Sequence, residues 1–236
     1  MSMQKNILIT GQPRSGKSTL LDKIIADIPK KVGFVTKEVL TNGERTGFEL
    51  ETHLGTKAML ADVHQQTPYK FSKYFVQVEA LETLIPEVAL FGVDDVLYLD
   101  EIAPLELFSD KFKQLVLQYM DSPNICLATI KQNYADDFIE SIKKRPDVVL
   151  VEITPENRNE QEQFLKLLIG KIRKARGYIS ERDRFTRKDS KMEIRSEHGT
   201  RNLALRDGKW ECDCNFFQAH NICSHSIATS EFTKST

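Results

Sequence analysis

The chain has 236 residues, of which 40% are apolar, so it holds enough apolar material for one domain of ordinary size and a small appendage. Its first residues do not resemble a signal peptide, and no apolar stretch approaches the roughly 20 residues that cross a membrane. We therefore expect a cytoplasmic protein with no membrane partner. The net charge of -1 conceals an asymmetry, because residues 1–170 carry 19 Lys and Arg against 25 Asp and Glu, whereas residues 171–236 carry 14 against 9. The basic residues of segment 171–236 either bind an anionic partner or are simply exposed to solvent.

Short apolar runs alternate with longer amphipathic stretches along most of the chain, which is typical of a mostly parallel sheet covered by helices. The predicted strands are Asn6–Thr10, Val32–Val39, Arg45–Glu51, Val96–Leu99, Ile125–Ile130 and Val148–Ile153. The predicted helices are Lys17–Ile28, Val78–Phe91, Ser109–Met120, Ala135–Lys144 and Asn157–Arg176. Asn42-Gly43 is a tight-hairpin signal, so it predicts an antiparallel excursion between the second and third strands.

The sequence after the last of these helices predicts a separate small module. Gly177 is a plausible cap that ends the helix at Arg176. A polar and charged stretch follows, and then two short strands, Met192–Ser196 and Asn202–Arg206, flank a turn. We therefore predict an α/β domain over residues 1–176, a charged linker over 177–190 and a small β-hairpin module over 191–236.

A phosphate-binding pattern, G-x4-G-K-[ST], lies between the first predicted strand and the first predicted helix. Its glycines let the loop curl around phosphates with backbone N–H groups pointing inward, and the helix adds its positive N-terminal end. Lys17 would reach the β and γ phosphates of a nucleotide, and Ser18 would ligate Mg²⁺. The predicted nucleotide-binding residues are Gly11, Gln12, Pro13, Arg14, Ser15, Gly16, Lys17, Ser18 and Thr19.

A second acidic element is needed to hold the metal, and Asp100-Glu101 supplies it at the end of an apolar strand. Asp100 would contact the Mg²⁺ shell, and Glu101 would orient and deprotonate the attacking water. The predicted catalytic residues are thus Lys17, Asp100 and Glu101. A further cation for the γ-phosphoryl charge could come from Arg14, Arg45 or Arg158, and spacing does not choose among them.

Five blocks in order resemble the nucleoside-triphosphatase family typified by thermophile enzymes and the human cancer-related NTPase. These blocks are Thr10–Thr19, Gly33–Glu38, Arg45–Phe48, Asp100–Ser109 and Glu156–Arg158, within roughly residues 3 to 170. The resemblance implies a RecA-like P-loop fold, Mg²⁺ dependence and hydrolysis of ATP, GTP and other nucleoside triphosphates to the diphosphate. It also implies that Glu106 supports the Asp100-Glu101 block.

Three cysteines and a histidine near the C-terminus offer a complete tetrahedral ligand set for Zn²⁺, namely Cys212, Cys214, Cys223 and His225. The spacing C-x-C-x8-C-x-H resembles the SWIM zinc finger, which also has a hairpin and a Trp before its first cysteine. His220 lies in the spacer and is the less suitable ligand. A closed site of this kind is expected to fold the module and not to perform chemistry.

The zinc module and the basic segment 171–209 predict a partner that is DNA, RNA or a protein. This segment carries 13 Lys and Arg against 6 Asp and Glu, and it could contact phosphates or be a solvated linker. SWIM resemblance also implies DNA or protein binding. The leading hypothesis is a Mg²⁺-dependent NTPase with this appended finger. The alternatives are a nucleotide-gated binding module with little hydrolysis and a P-loop kinase.

Overall fold

The computed structural model of the chain describes residues 3–189 and 191–234. By their internal contacts these residues form an N-terminal unit of residues 6–161 and a C-terminal unit of residues 162–234 with residues 3–5. Residues 1, 2, 190, 235 and 236 lie at the ends of the predicted segments 1–176, 177–190 and 191–236, and they fall outside the described residues.

The N-terminal unit is built on one sheet, and the helices of the unit contact its strands. The strands are β1 (Asn6–Thr10), β2 (Lys31–Thr41), β3 (Glu44–Thr52), β4 (Lys57–Asp62), β5 (Lys70–Phe71), β6 (Tyr74–Val76), β7 (Val96–Ile102), β8 (Ile125–Ile130) and β9 (Val148–Glu152). The helices are α1 (Lys17–Ala26), α2 (Val78–Val88), α3 (Asp110–Asp121) and α4 (Asp137–Lys143). The strand order is β5-β6-β4-β3-β2-β7-β8-β1-β9.

One half of this sheet is parallel, and it carries the phosphate loop. β2, β7, β8, β1 and β9 pair in parallel, so their carboxyl ends meet at one edge. Every residue of β1 and β8 is buried, as in strands covered on both faces. Helix α3 buries Phe112, Leu115, Val116, Tyr119 and Met120 on one face. β8 lies between β1 and β7, which places the phosphate loop and Asp100 on strands separated by one other strand.

The other half of the sheet is antiparallel and larger than the sequence predicts. Asn42 and Gly43 both have positive φ, 52° and 81°, and they form the predicted hairpin turn between β2 and β3. The antiparallel pairing then continues through β4, β6 and β5, for which no strand is predicted. The sheet is therefore mixed and not mostly parallel. The sequence does not predict β4, β5 and β6 because they are only six, two and three residues long.

The C-terminal unit contains most of α5 and a second, four-stranded sheet. Its elements are α5 (Arg158–Ser180), a 3-10 turn (Arg182–Arg184), β10 (Phe185–Lys188), β11 (Lys191–Ser196), β12 (Gly199–Arg206), β13 (Lys209–Cys212), α6 (Asn215–His220) and α7 (Ser224–Phe232). Gly177 lies inside α5, so the prediction that it caps the helix is wrong. The structure places the last turn of α5, the 3-10 turn and β10 within the predicted linker 177–190. By contacts, the C-terminal unit begins within α5, at Glu162, and the predicted domain bounds at residues 176 and 190 stay a prediction.

Candidate functional site

The loop between β1 and α1 packs so closely on its surroundings that its two ends require glycine. Gly11 and Gly16 have φ angles of 152° and 94°. A Cβ at Gly11 would lie 2.4 Å from the carbonyl oxygen of Ile153, and one at Gly16 would lie 2.6 Å from Nη1 of Arg158. The backbone of the loop is thus fixed against the carboxyl end of β9 and the start of α5.

Helix α1 begins directly after this loop, with Gly16 as its N-cap residue. In the described part of the chain no side chain caps this end of α1, and its first turn carries no acidic residue. The N–H groups of a first helical turn lack intrahelical acceptors, and together with the helix dipole they favour a bound phosphate. The loop and the first turn of α1 are therefore suited to binding an anion.

Lys17 and Glu101 meet beside this end. Lys17 Nζ donates to the carbonyl oxygen of Gly11 at 3.3 Å and lies 3.5 Å from Oε1 of Glu101. The Lys17 side chain is only 12% exposed, whereas that of Glu101 is 30% exposed. The ammonium group of Lys17, which is suited to contact a phosphate, thus lies next to the carboxylate of Glu101, which can accept a proton.

Asp100, on β7, receives hydrogen bonds at the same oxygen from two hydroxyls. Ser18 Oγ donates to Oδ1 at 3.0 Å, and Thr129 Oγ1, from β8, also donates to Oδ1. Burial raises the pKa of Asp100 to about 6, although the hydrogen bonds from Thr129 and Ser18 act in the opposite direction. A buried carboxylate and a serine hydroxyl beside it are a suitable pair of ligands for Mg²⁺.

Two threonines of this arrangement are missed by the sequence analysis. Thr129 holds the Asp100 carboxylate, and Thr36 Oγ1, from β2, donates to the Asp100 carbonyl oxygen at 2.5 Å. Thr129 is the penultimate residue of β8, and Thr36 lies in the middle of β2, directly after Val35, which pairs with Asp100. In each case a polar residue directly after an apolar run was the available signal, because the ends of parallel strands meet at one edge of the sheet.

These groups line a cavity of about 710 Å³. Arg14 and Arg45 are among its lining residues, whereas Arg158 packs over Gly16. Arg45 is oriented by its neighbours, since Nε donates to the Tyr74 hydroxyl at 3.0 Å and Nη1 to Glu38 Oε1 at 2.5 Å. Besides Arg14 and Arg45, the lining residues are Gly11, Gln12, Pro13, Lys17, Ser18, Thr36, Glu38, Phe48, Phe71, Ser72, Tyr74, Asp100, Glu101, Ala103, Pro104, Leu105, Glu106, Lys131, Gln132 and Asn133.

A second cluster lies in the C-terminal unit, where the structure brings together Cys212, Cys214, Cys223 and His225. Their ligand atoms all lie within 4.8 Å of one another. Nδ1 of His225 is 3.6 Å from Sγ of Cys212 and 3.7 Å from Sγ of Cys223. A tetrahedral zinc site with Zn–S near 2.3 Å and Zn–N near 2.0 Å has edges of about 3.5–3.8 Å. His220 lies outside this cluster and stacks on Phe164 with ring centroids 4.9 Å apart.

The thiols of the cluster differ in acidity. Hydrogen bonds from Cys212, His225 and Ser226 lower the pKa of Cys223 to about 4. Burial raises the pKa of the neighbouring Cys214. A thiolate enclosed by further sulfur atoms is the donor set that zinc prefers, and the residues present fit that metal.

The mixed sheet, the glycine-bounded phosphate loop and the Asp100-Glu101 pair together define a P-loop nucleoside triphosphatase. The family model described as NTPase matches residues 6–165, and the chain belongs to this family. The predicted enzyme class, a hydrolase that acts on the acid anhydride bonds of nucleoside triphosphates, is thereby confirmed.

Curated relatives and solved structures agree with this assignment. The nucleoside-triphosphatase THEP1 of Thermotoga sp. (strain RQ2) is 39% identical over 155 residues, which are 65% of this chain and 88% of the relative. A crystal structure of THEP1 from Aquifex aeolicus has a TM-score of 0.62 at 35% identity and covers 70% of this chain and 98% of that one. The solution structure of a human cancer-related nucleoside triphosphatase has a TM-score of 0.59 at 32% identity, with 70% and 97% covered. The predicted α/β fold is therefore confirmed.

Among the described residues, no helix combines the length and the apolar character needed to span a bilayer.

Proposed function

We propose that the chain hydrolyses ATP or GTP to the diphosphate and phosphate in a Mg²⁺-dependent reaction. The observation that carries this proposal is the convergence of two pairs at the carboxyl edge of the parallel strands. Ser18 Oγ lies 3.0 Å from Asp100 Oδ1, and Lys17 Nζ lies 3.5 Å from Glu101 Oε1. Both pairs line the same cavity.

Each group has a role that follows from its chemistry. The segment Gly11–Thr19 binds the phosphates through its backbone N–H groups, and Lys17 binds the β and γ phosphates. Ser18 and Asp100 would hold Mg²⁺, which neutralises charge on the phosphate oxygens when it is bound. Of the segment Gly11–Thr19, the residues Ser15, Gly16 and Thr19 do not line the cavity, so only their backbone is assigned to the phosphates.

The reaction is a displacement at the γ-phosphorus. A water oxygen forms the new bond to phosphorus, the bond to the β-phosphate oxygen breaks, and the diphosphate leaves with the electron pair. The proton of the water passes to the Glu101 carboxylate. Lys17 holds the transferred group in line and stabilises the charge on it.

We expect purified protein to release inorganic phosphate from ATP and GTP with Mg²⁺, and we expect EDTA to stop the release. Lys17→Ala should lower the rate by about 10²-fold or more, because it removes the cation that holds the β and γ phosphates. Lys30→Ala is the matched control, since Lys30 is 68% exposed and pairs with Asp94. Malachite-green detection measures the phosphate. Equal release by Lys17→Ala and the native protein would contradict the proposal, and tight nucleotide binding without product would favour the nucleotide-gated alternative.

We further propose that Cys212, Cys214, Cys223 and His225 bind one Zn²⁺ in a closed, SWIM-type structural site. Cys212 ends β13, Cys214 and Cys223 are the N-cap residues of α6 and α7, and His225 lies in the first turn of α7. The site thus joins three elements that are short on their own. Three thiols that bind a metal must stay reduced, which supports a cytoplasmic location.

One face of the four-stranded sheet supports a nucleic-acid partner. By the pairing register, Phe185, Met192, Ile194 and Leu203 share one face and are buried. The opposite face carries five cations, Lys188, Lys191, Arg195, Arg206 and Lys209, and two acids, Glu193 and Glu211. We propose that this face, here named the basic face, contacts the phosphates of DNA or RNA.

We expect the protein to bind DNA or RNA in a gel-shift assay, with affinity that falls steeply between 50 and 200 mM salt. Lys191→Glu and Lys209→Glu should each reduce the slope of log K against log salt by about one, because each removes a phosphate contact. Lys30→Glu, in the N-terminal unit, is the control. Phosphate release with and without the nucleic acid measures whether the partner alters turnover. Absence of binding at low salt would overturn this assignment and favour a protein partner.

A further inference from the structure

Glu106 is a carboxyl group that the proposed reaction does not use, although it lines the nucleotide cavity. It lies in the 3-10 turn that follows β7 and is 1% exposed. Within the described ranges, its Oε2 atom has no hydrogen-bond partner. A buried carboxylate oxygen without a hydrogen-bond partner is costly, so this atom calls for an explanation.

The contact between Glu106 and Thr36 explains how this group is accommodated. Thr36 Oγ1 lies 2.5 Å from the carbonyl oxygen of Asp100 and 3.4 Å from Oε1 of Glu106. A threonine hydroxyl has one hydrogen, and the shorter contact takes it. The Thr36 oxygen then turns its lone pairs toward Glu106. Two acceptors would face each other unless the carboxyl group itself carries a hydrogen.

Burial and the surrounding charges also favour the protonated form of Glu106. Burial raises the pKa of Glu106 well above its ordinary value of 4.5, and the charges of Glu101 and Asp100 raise it further. Its own backbone N–H and Thr36 have the opposite effect, which is smaller than that of burial. Lys17, the nearby cation, is held by Glu101.

We propose that Glu106 is a positioning residue that donates a hydrogen bond to Thr36 as a neutral carboxylic acid. Thr36 in turn donates to the Asp100 carbonyl oxygen, and this chain fixes the backbone that presents Asp100 to the metal and Glu101 to water. The inference rests on the proposed hydrolytic function. It gives Glu106 a role different from that of Glu101, although both belong to one sequence block.

The test compares an amide, an apolar group and the native acid at position 106. Glu106→Gln keeps a neutral hydrogen-bond donor, so we expect kcat within about threefold of the native enzyme. Glu106→Leu removes the donor, so kcat should fall tenfold or more while KM for the nucleotide changes less than threefold. Thr36→Val should match Glu106→Leu, and the double variant should be no worse than either single variant, because both changes break one chain. Thr36→Ser, which keeps the hydroxyl, should restore turnover.

The opposite results would overturn the inference. These are Glu106→Gln as inactive as Glu101→Gln in a folded protein, Glu106→Leu or Thr36→Val with native kcat, or additive losses in the double variant. Circular dichroism and Tm identify any variant that has not folded. If Glu106→Leu or Thr36→Val does not fold, the test uses Glu106→Gln and Thr36→Ser.

A stability measurement separates this inference from the proposed function. A carboxyl group with a raised pKa in the folded state keeps its proton while the unfolded chain loses it, so stability falls as pH rises above about 4.5. Glu106→Gln should therefore raise Tm relative to the native protein at pH 8 but not at pH 4. If native protein releases no phosphate, the proposed function fails, and this Tm difference still supports a neutral Glu106. An equal Tm effect at both values would contradict it.

Discussion

Glu101→Gln is expected to lower kcat for phosphate release by about 10²–10⁴-fold, the range that a general base contributes. The amide has nearly the same shape as the carboxylate but cannot accept the proton of the attacking water. Nucleotide binding should survive, because the phosphate loop and Lys17 are unchanged. Glu101 lies within 3.5 Å of Lys17 and lines the cavity, so no other change of one atom acts as directly on the proton transfer.

The measurement is phosphate release at saturating nucleotide, together with the nucleotide Kd from fluorescence titration. Glu51→Gln is the matched control, since it makes the same chemical change outside the cavity, where Glu51 pairs with Lys37 and Lys57. Turnover of Glu101→Gln at the native rate would remove Glu101 from the role of base. Loss of nucleotide binding would indicate a role in the phosphate site in place of proton transfer.

Removal of zinc is expected to unfold the end of the C-terminal unit. Structural zinc contributes on the order of 10 kcal/mol to small domains of this kind, which is as large as the total stability of many proteins. Cys223→Ser should abolish zinc binding, because it replaces one of the three sulfur atoms of the cluster by a hydroxyl, which is not among the ligands that zinc prefers. Metal analysis should find about one zinc per native chain and none in this variant.

Tryptophan fluorescence reports the structural change directly, because Trp210, two residues before Cys212, is the single tryptophan of the chain. A chelator should change the emission of the native protein, and added zinc should restore it. Cys126→Ala is the control, since Cys126 lies in β8 of the N-terminal unit, apart from the cluster. Full zinc content in Cys223→Ser, or unchanged emission after zinc is removed, would contradict the structural role.

The parts of the site that depend on adjacent residues are visible in the sequence. The phosphate loop, Lys17 and Ser18 form one continuous motif, and Asp100-Glu101 ends one apolar strand. Thr36 and Thr129 join the site only because β2, β7 and β8 are neighbours in the sheet, whereas Glu106 belongs to the same sequence block as Asp100-Glu101. Strand order is a property of the whole fold, and a single sequence carries little information about it.

The contrast between local sequence signals and the packing of the whole fold also explains which elements the sequence does not predict. β4, β5 and β6 are only six, two and three residues long and pair at the antiparallel end of the sheet, so their sequences are too short to show a clear alternation. Gly177 favours a helix end by its backbone freedom, yet α5 continues to Ser180 and buries Tyr178. Tertiary packing outweighs the local cost of a glycine in a helix, which is about 1 kcal/mol.

The position of β8 between β1 and β7 fixes the width of the nucleotide site by backbone pairing. Two strand spacings, about 10 Å, separate the strand of the phosphate loop from the strand of Asp100. Sheet hydrogen bonds set this spacing, so changes in the side chains around the cavity do not alter it. Substitutions in the cavity wall can therefore change the contacts to a nucleotide while the distance between β1 and β7 stays the same.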